Sequence, residues 1–220
     1  MKKIAKLHYI TQALQGKSHA EAAKAACAAR ADWVQLRVKD QPYELWKEEA
    51  LQTQAICRTF GSTFIINDNA KLAAEVNADG VHLGKTDLSP VEARELLGTD
   101  KIIGGTANTF EDVQQLVAAG VDYIGLGPFR FTSTKQNLSP ILGLSGYELM
   151  LHQCQVASIS TPIIAIGGIL APDVAPLLAT GVHGVAVSSV INKAADKEQV
   201  INMFKQELQL MQDHAGPNNI

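Results

Sequence analysis

The chain has 220 residues, 46% of them hydrophobic and 19% charged, the balance of a protein with a large buried core and not of a disordered chain. That length suits one α/β barrel or one ordinary domain, whereas two domains would each be small. A formal charge of −3 and a pI near 6.1 offer no net basic field for nucleic acid, so any phosphate chemistry has to be local.

The N-terminal stretch is basic, but Lys6 and His8 interrupt its apolar run and no small-residue cleavage site follows, so no signal peptide is expected. No segment approaches a membrane-spanning apolar run. Cys27, Cys57 and Cys154 are isolated, without a CxxC pair or a spaced Cys/His cluster, and read as reduced, buried thiols of a cytoplasmic protein with no zinc site.

In chain order, a first short apolar strand is predicted over residues 6–10, followed by a helix whose start is marked by the capping spacing of Ser18 and Glu21. The next strand is the phrase Ala31-Asp32-Trp33-Val34-Gln35-Leu36-Arg37, and variants of that phrase recur at residues 78–84, 121–127 and 182–188. Their intervals of roughly 45 to 60 residues suit one or two βα units each. Further strands are predicted at 63–67, 101–106 and 162–167, between breakers. Helix starts are marked at Ser89 with Glu92 and at Thr109 with Asp112. Eight strands alternating with eight helices predict a single (β/α)8 barrel over residues 1–212, with residues 213–220 as a flexible tail. An open doubly wound sheet is the alternative, but no GxGxxG follows the first strand.

In such a barrel the reactive groups stand where strands end. Those positions carry Gln35, Arg37 and Lys39; Asn67 and Asp68; His82 and then Asp87; Thr106 and Asn108; Thr132, Ser133, Thr134 and Lys135; Gly167 and Gly168; and Ser188 and Ser189. Asp68 and Asp87 lie on adjacent loops, where two carboxylates suit a hard cation such as Mg2+; each also reads as a simple helix or turn cap. Arg37, Lys39 and Lys135 suit a diphosphate, or are solvated loop charges. Gly167-Gly168 and Ser188-Ser189 offer backbone N–H groups to a second phosphate, although glycine there also permits a tight turn. No histidine has an acid partner at recognisable spacing, so none is assigned as a base. Trp33, Trp46, Phe129 and Phe131 are core residues by default, with Phe129 and Phe131 also placed to cover a ring.

Gln35-Leu36-Arg37-Val38-Lys39, Ile65-Ile66-Asn67-Asp68, Gly80-Val81-His82-Leu83-Gly84 with Asp87, Gly125-Leu126-Gly127-Pro128 with Thr132-Ser133-Thr134-Lys135, and Ile166-Gly167-Gly168-Ile169 form an ordered set spanning nearly the whole chain. With this set the sequence resembles the thiamine-phosphate synthase family. The resemblance implies a Mg2+-dependent transferase. It would join 4-amino-5-hydroxymethyl-2-methylpyrimidine diphosphate to 4-methyl-5-(2-phosphoethyl)thiazole, releasing pyrophosphate through a dissociative pyrimidine cation. It further implies that Gln35, Leu36, Arg37, Val38, Lys39, Asn67, Thr106 and Lys135 bind the pyrimidine diphosphate, with Arg37, Lys39, Thr106 and Lys135 catalytic. Asp68 and Asp87 would hold the metal, and Thr132, Ser133, Thr134, Gly168, Ser188 and Ser189 the thiazole phosphate.

The expected partners are these small molecules, with no nucleic acid or membrane, and a homo-oligomer is left open. Three positions depart from the family pattern. Thr106 replaces a frequent Ser and keeps the hydroxyl, Ser188 replaces a frequent aliphatic residue, and Arg130-Phe131 either alters the cover of the site or adds a cation near the diphosphate. Two other functions are weighed: a thiazole tautomerase, which would carry His in place of Pro128, and a non-catalytic phosphate-binding sensor, which would not need Arg37, Lys39, Asp68 and Lys135 together.

Overall fold

In the computed structural model, residues 2–14, 16–131 and 140–214 are described, without side chains for 210–214. Eight strands are present: β1 Leu7–Ile10, β2 Trp33–Leu36, β3 Thr63–Asn67, β4 Gly80–Leu83, β5 Ile102–Ala107, β6 Tyr123–Leu126, β7 Ile163–Ile166 and β8 Gly184–Val187. Each pairs in parallel with its sequence neighbours, and β8 closes on β1. All eight predicted strands are found, with ends shifted by no more than two residues, because each is a short apolar run between breakers.

Strand alternation divides the side chains into two layers. Ile10, Trp33, Ile65, Ile102, Tyr123, Ile164 and Ala186 pack inside the barrel, where His8 stacks on Trp33 with ring centroids 4.0 Å apart and Tyr123 meets both rings edge-on. Tyr123 has room because β5 carries Gly104: a Cβ there would lie 2.2 Å from the Tyr123 ring. Leu36, Val38, Ile66, Val81, Ile103 and Leu126 belong to the larger core outside the barrel, against the helices. The aromatic plug fills the lower barrel, so the next inward-facing residues toward the C-terminal ends of the strands meet open space.

The recurring Asp before a strand has a structural cause at two of its sites. Asp79, ahead of β4, accepts the N–H of Phe64, the second residue of β3 (2.7 Å), and Asp122, ahead of β6, accepts that of Ile103, the second residue of β5 (2.8 Å). Asp122 also takes Lys2 at 2.9 Å and Arg94 at 2.7 Å, closing the bottom of the barrel. Asp122→Ala is therefore expected to cost about 2–3 kcal/mol and to lower Tm by roughly 5–10 °C in a thermal melt. The opposite, C-terminal mouth of the barrel should be unaffected. A shift under about 1 °C would show that the cluster does not hold the barrel.

The helices are α1 His19–Ala28, α2 Tyr43–Phe60, α3 Ala70–Glu75, α4 Pro90–Leu97, α5 Phe110–Ala118, α6 Gly143–Val156, α7 Val174–Ala179, α8 Ser189–Asn192 and α9 Lys197–His214, with a 3-10 turn at Ala171–Asp173. Reciprocal capping boxes form at Ser18/Glu21, Ser89/Glu92 and Thr109/Asp112, as their spacing predicts. The last βα unit has two helices where one was expected: the one-turn α8 ends where Lys197 Nζ donates to the carbonyls of Ile191 and Asn192, and α9 begins there. Asp213 and His214, expected in a flexible tail, end α9; the rest of that tail lies outside the described residues. Among the described residues no helix is long and apolar enough to cross a membrane.

Candidate active site

A cavity of about 780 Å³ opens at the C-terminal mouth of the barrel. Its lining includes Gln35 from β2 and Arg37 just after it, Asn67 from β3 and Asp68 just after it, His82 from β4, Thr106 from β5, and the loops after β7 and β8. On the floor, Gln35 Nε2 donates to Asn67 Oδ1 at 2.7 Å. That bond leaves Gln35 Oε1 and Asn67 Nδ2, an acceptor beside a donor, without partners among the described residues. His82 stands between Tyr123 Oη at Nδ1 and Thr106 Oγ1 at Nε2, 3.0 Å from each.

Above this floor on the β2–β4 side stand the charges. Arg37 is half-buried and, among the described residues, forms no ion pair. Burial draws its guanidinium below its usual pKa, opposed by the carboxylates of Asp68 and Asp40. Its N–H donates to Thr11 Oγ1 at 3.0 Å, and that hydroxyl meets His19 Nδ1 at 2.7 Å. Lys39 pairs with Asp68. Asp68 has a φ of +70°, unusual for a residue with a Cβ, and its N–H continues the ladder to His82 O at 2.7 Å.

Asp87 accepts the Gly84 N–H at 2.6 Å. Burial and then the facing Asp68 raise its pKa, against the opposite pull of the Gly84 N–H and Lys39. The capping alternatives now separate. Asn69, not Asp68, caps α3 by accepting from Leu72 N at 2.9 Å, while Asp87 closes the 84–87 turn and Ser89 caps α4.

Across the mouth, Gly167 and Gly168 have φ of +105° and +67°, which only glycine adopts without strain in succession. A Cβ on Gly168 would sit 2.5 Å from Arg130 Cγ. Among the described residues, no backbone carbonyl receives the N–H groups of Gly168 and Ile169. Ser188 Oγ donates to Ile10 O at 2.9 Å, so its hydroxyl proton is spent on the scaffold, whereas Ser189 lines the cavity.

The family model for thiamine monophosphate synthase matches residues 7–191. The chain belongs to this family. Relatives named thiamine-phosphate synthase include one from Flavobacterium johnsoniae, 47% identical over 203 residues and covering 92% of this chain and 96% of that one. Another, from Phocaeicola vulgatus, is 46% identical over 88% of this chain and 93% of its own. Among solved structures, a thiamine phosphate pyrophosphorylase from Pyrococcus furiosus superposes with TM-score 0.80 at 28% identity, covering 93% and 96% of the two chains. A 3-hexulose-6-phosphate synthase at 15% identity and TM-score 0.66 shares the fold alone.

Set against the residues that the family resemblance implies, the barrel brings together Gln35, Arg37, Lys39, Asn67, Asp68, Asp87, Thr106, Gly168, Ser188 and Ser189 around one cavity. Leu36 and Val38 are not in its lining: strand alternation turns both side chains into the core outside the barrel. Thr132, Ser133, Thr134 and Lys135 lie outside the described residues. Both terminal nitrogens of Arg130 bind Asp173. Phe129 packs edge-on against Tyr147 instead of over a ring in the cavity, and Phe131 is exposed. Sequence reading undervalued His82, which sits in the floor; its place two residues from Gly80 and Gly84 on the inward face of β4 was the available signal.

Proposed function

We propose that this chain is a thiamine-phosphate synthase, joining the aminopyrimidine diphosphate and the thiazole phosphate named above into thiamine phosphate and pyrophosphate. The observation that carries the reading is one cavity with two phosphate-suited poles. Arg37, Lys39, Asp68 and Asp87 stand on the β2–β4 side, and the Gly167-Gly168 turn stands on the β7 side, across the closed ring.

Gln35 Oε1 and Asn67 Nδ2 form an acceptor–donor pair that suits the exocyclic amine and a ring nitrogen of an aminopyrimidine. Arg37 and Lys39, with Lys135 from the family motif, would bind the diphosphate and stabilise the charge that grows on it as its C–O bond breaks. The electron pair leaves with pyrophosphate, and the lone pair of the thiazole nitrogen forms the new C–N bond. No proton is removed from either substrate, so no general base is required. Thr106, oriented by His82, would touch the pyrimidine.

The facing carboxylates of Asp68 and Asp87 are hard oxygen donors that fit Mg2+, and burial together with the nearby Asp68 makes Asp87 costlier to ionise. Mg2+ bound there would neutralise diphosphate charge. Gly168 and Ser189 would hold the thiazole phosphate through backbone N–H groups, and Ser188 would orient that loop. Three buried free thiols support a reducing, cytoplasmic setting.

The test is an assay of the purified chain with both heterocycles, following thiamine phosphate as fluorescent thiochrome, with Mg2+ and with EDTA. Product is expected with Mg2+, with a loss of more than about 100-fold in EDTA. Thiazole phosphate binding without product would point to the tautomerase or the sensor.

A further inference from the structure

Arg130, in the segment that follows β6, is tied to the β7 loop through both of its terminal nitrogens and its main-chain N–H. Its Nη1 donates to Gly168 O at 2.8 Å and to Asp173 Oδ2 at 2.6 Å, and Nη2 donates to Asp173 Oδ1 at 2.8 Å. The same Asp173 Oδ2 accepts Leu170 N–H at 2.7 Å, while Arg130 N–H donates to Gly167 O at 3.0 Å. The guanidinium also lies over the Phe129 ring, 4.8 Å from its centroid. The carbonyl before Ile169 and the N–H after it are thus both tied down, and Ile169 itself is buried. Among the described residues, the N–H groups of Gly168 and Ile169, in a loop that lines the cavity, reach no backbone carbonyl.

A half-exposed ion pair adds little by itself. This one is bidentate and bonds main chain on two sides of a turn with successive positive φ, so its effect is to hold amide directions. It is electrically neutral and offers no net charge to a ligand. We propose that Arg130 and Asp173 form a clamp that fixes the β7 loop amides for the phosphate end of the thiazole substrate, making Arg130 a positioning residue for that subsite; this rests on the synthase reading above.

The clamp makes a prediction that a general loss of packing does not. Binding of the thiazole phosphate and of the corresponding thiazole alcohol is measured by calorimetry on the full chain and on Arg130→Ala, Arg130→Lys, Asp173→Asn and the double Arg130→Ala/Asp173→Ala variant, alongside steady-state kinetics in both substrates. The preference for phosphate over alcohol is expected to fall about tenfold or more in Arg130→Ala, with KM for the pyrimidine diphosphate changed less than about twofold. Lysine should restore only part of it, because an ammonium cannot fork onto Asp173. The double variant should be no worse than the single by more than about twofold, since the two side chains act as one unit. Should Arg130→Ala fail to fold, Asp173→Asn, which keeps the shape, should move the same ratio in the same direction. A phosphate preference that survives in these variants of an active chain overturns the clamp, as does an equal loss for phosphate and alcohol. Absence of thiamine phosphate formation by the unsubstituted chain overturns the synthase reading instead.

Discussion

Replacing Asp68 is expected to lower turnover at saturating substrates and millimolar Mg2+ by about 10³-fold, the usual scale for losing one preorganised group that supports a developing charge. Asp68→Asn is the sharper variant, because asparagine tolerates the φ of +70° that Asp68 adopts, whereas Asp68→Ala adds backbone strain to the loss of charge. Removal of this carboxylate also frees Lys39 from its ion pair and relieves Asp87 of its facing charge, so the pKa of Asp87 should fall. Because Asp68 is only partly buried and caps no helix, Tm should stay within about 2 °C of the parent. The Mg2+ concentration needed for half-maximal rate should rise at least tenfold. A variant with the parent's rate and the parent's Mg2+ dependence would rule out Asp68 as a metal ligand.

Arg37→Ala is the second. Arg37 is half-buried, pays a desolvation cost that depresses its pKa, and makes no ion pair among the described residues. A cation left in that state is unfavourable for the fold, and under the proposed function the substrate's diphosphate would compensate it. Its loss should reduce kcat/KM for the pyrimidine diphosphate by about 10³-fold, or ~4 kcal/mol of transition-state stabilisation. KM for the thiazole phosphate should change less than about threefold. The fold should lose nothing: Tm is expected to be unchanged or a few degrees higher, the usual signature of a functional group held against stability. Arg37→Lys should recover only part of the rate, since an ammonium cannot match two phosphate oxygens at once. If instead Tm drops by more than about 5 °C with kcat/KM retained, Arg37 is a structural residue.

Much of the rim of the candidate site was legible along the chain, and the reason is geometric. Parallel barrel strands all end at one face, so polar residues at strand ends converge without any need to know distances. Gln35, Arg37, Asn67, Asp68, Thr106 and Gly168 meet around one cavity for that reason. The same alternation turns the side chains of Leu36 and Val38 away from the cavity, and a motif read as a continuous string hides it. In Gln35-Leu36-Arg37-Val38-Lys39 the odd-numbered members face the cavity, and Leu36 and Val38 pack outward against the helices.

Other features belong to the third dimension. His82 has no acid partner in sequence, yet closure of the barrel brings it between Tyr123, 41 positions away, and Thr106, 24 away. Arg130 reads as one more cation beside a lysine-bearing motif, and becomes a neutral clamp only because β6 and β7 are neighbours and Asp173, 43 positions on, meets its fork. Whether a carboxylate caps a helix or faces a second carboxylate is likewise undecided by spacing: Asn69 takes the cap and leaves Asp68 turned toward Asp87.

The sequence by itself determined the eight-strand barrel, the three capping boxes and the strand ends that carry chemistry, because those depend on period-two patterning, local hydrogen bonds and a shared strand direction. Only the tertiary structure decided the long-range partners, such as Gln35 with Asn67, His82 with Tyr123 and Arg130 with Asp173. Those partners stand tens of positions apart, and chain closure alone sets which of several chemically equivalent donors and acceptors come within hydrogen-bonding reach.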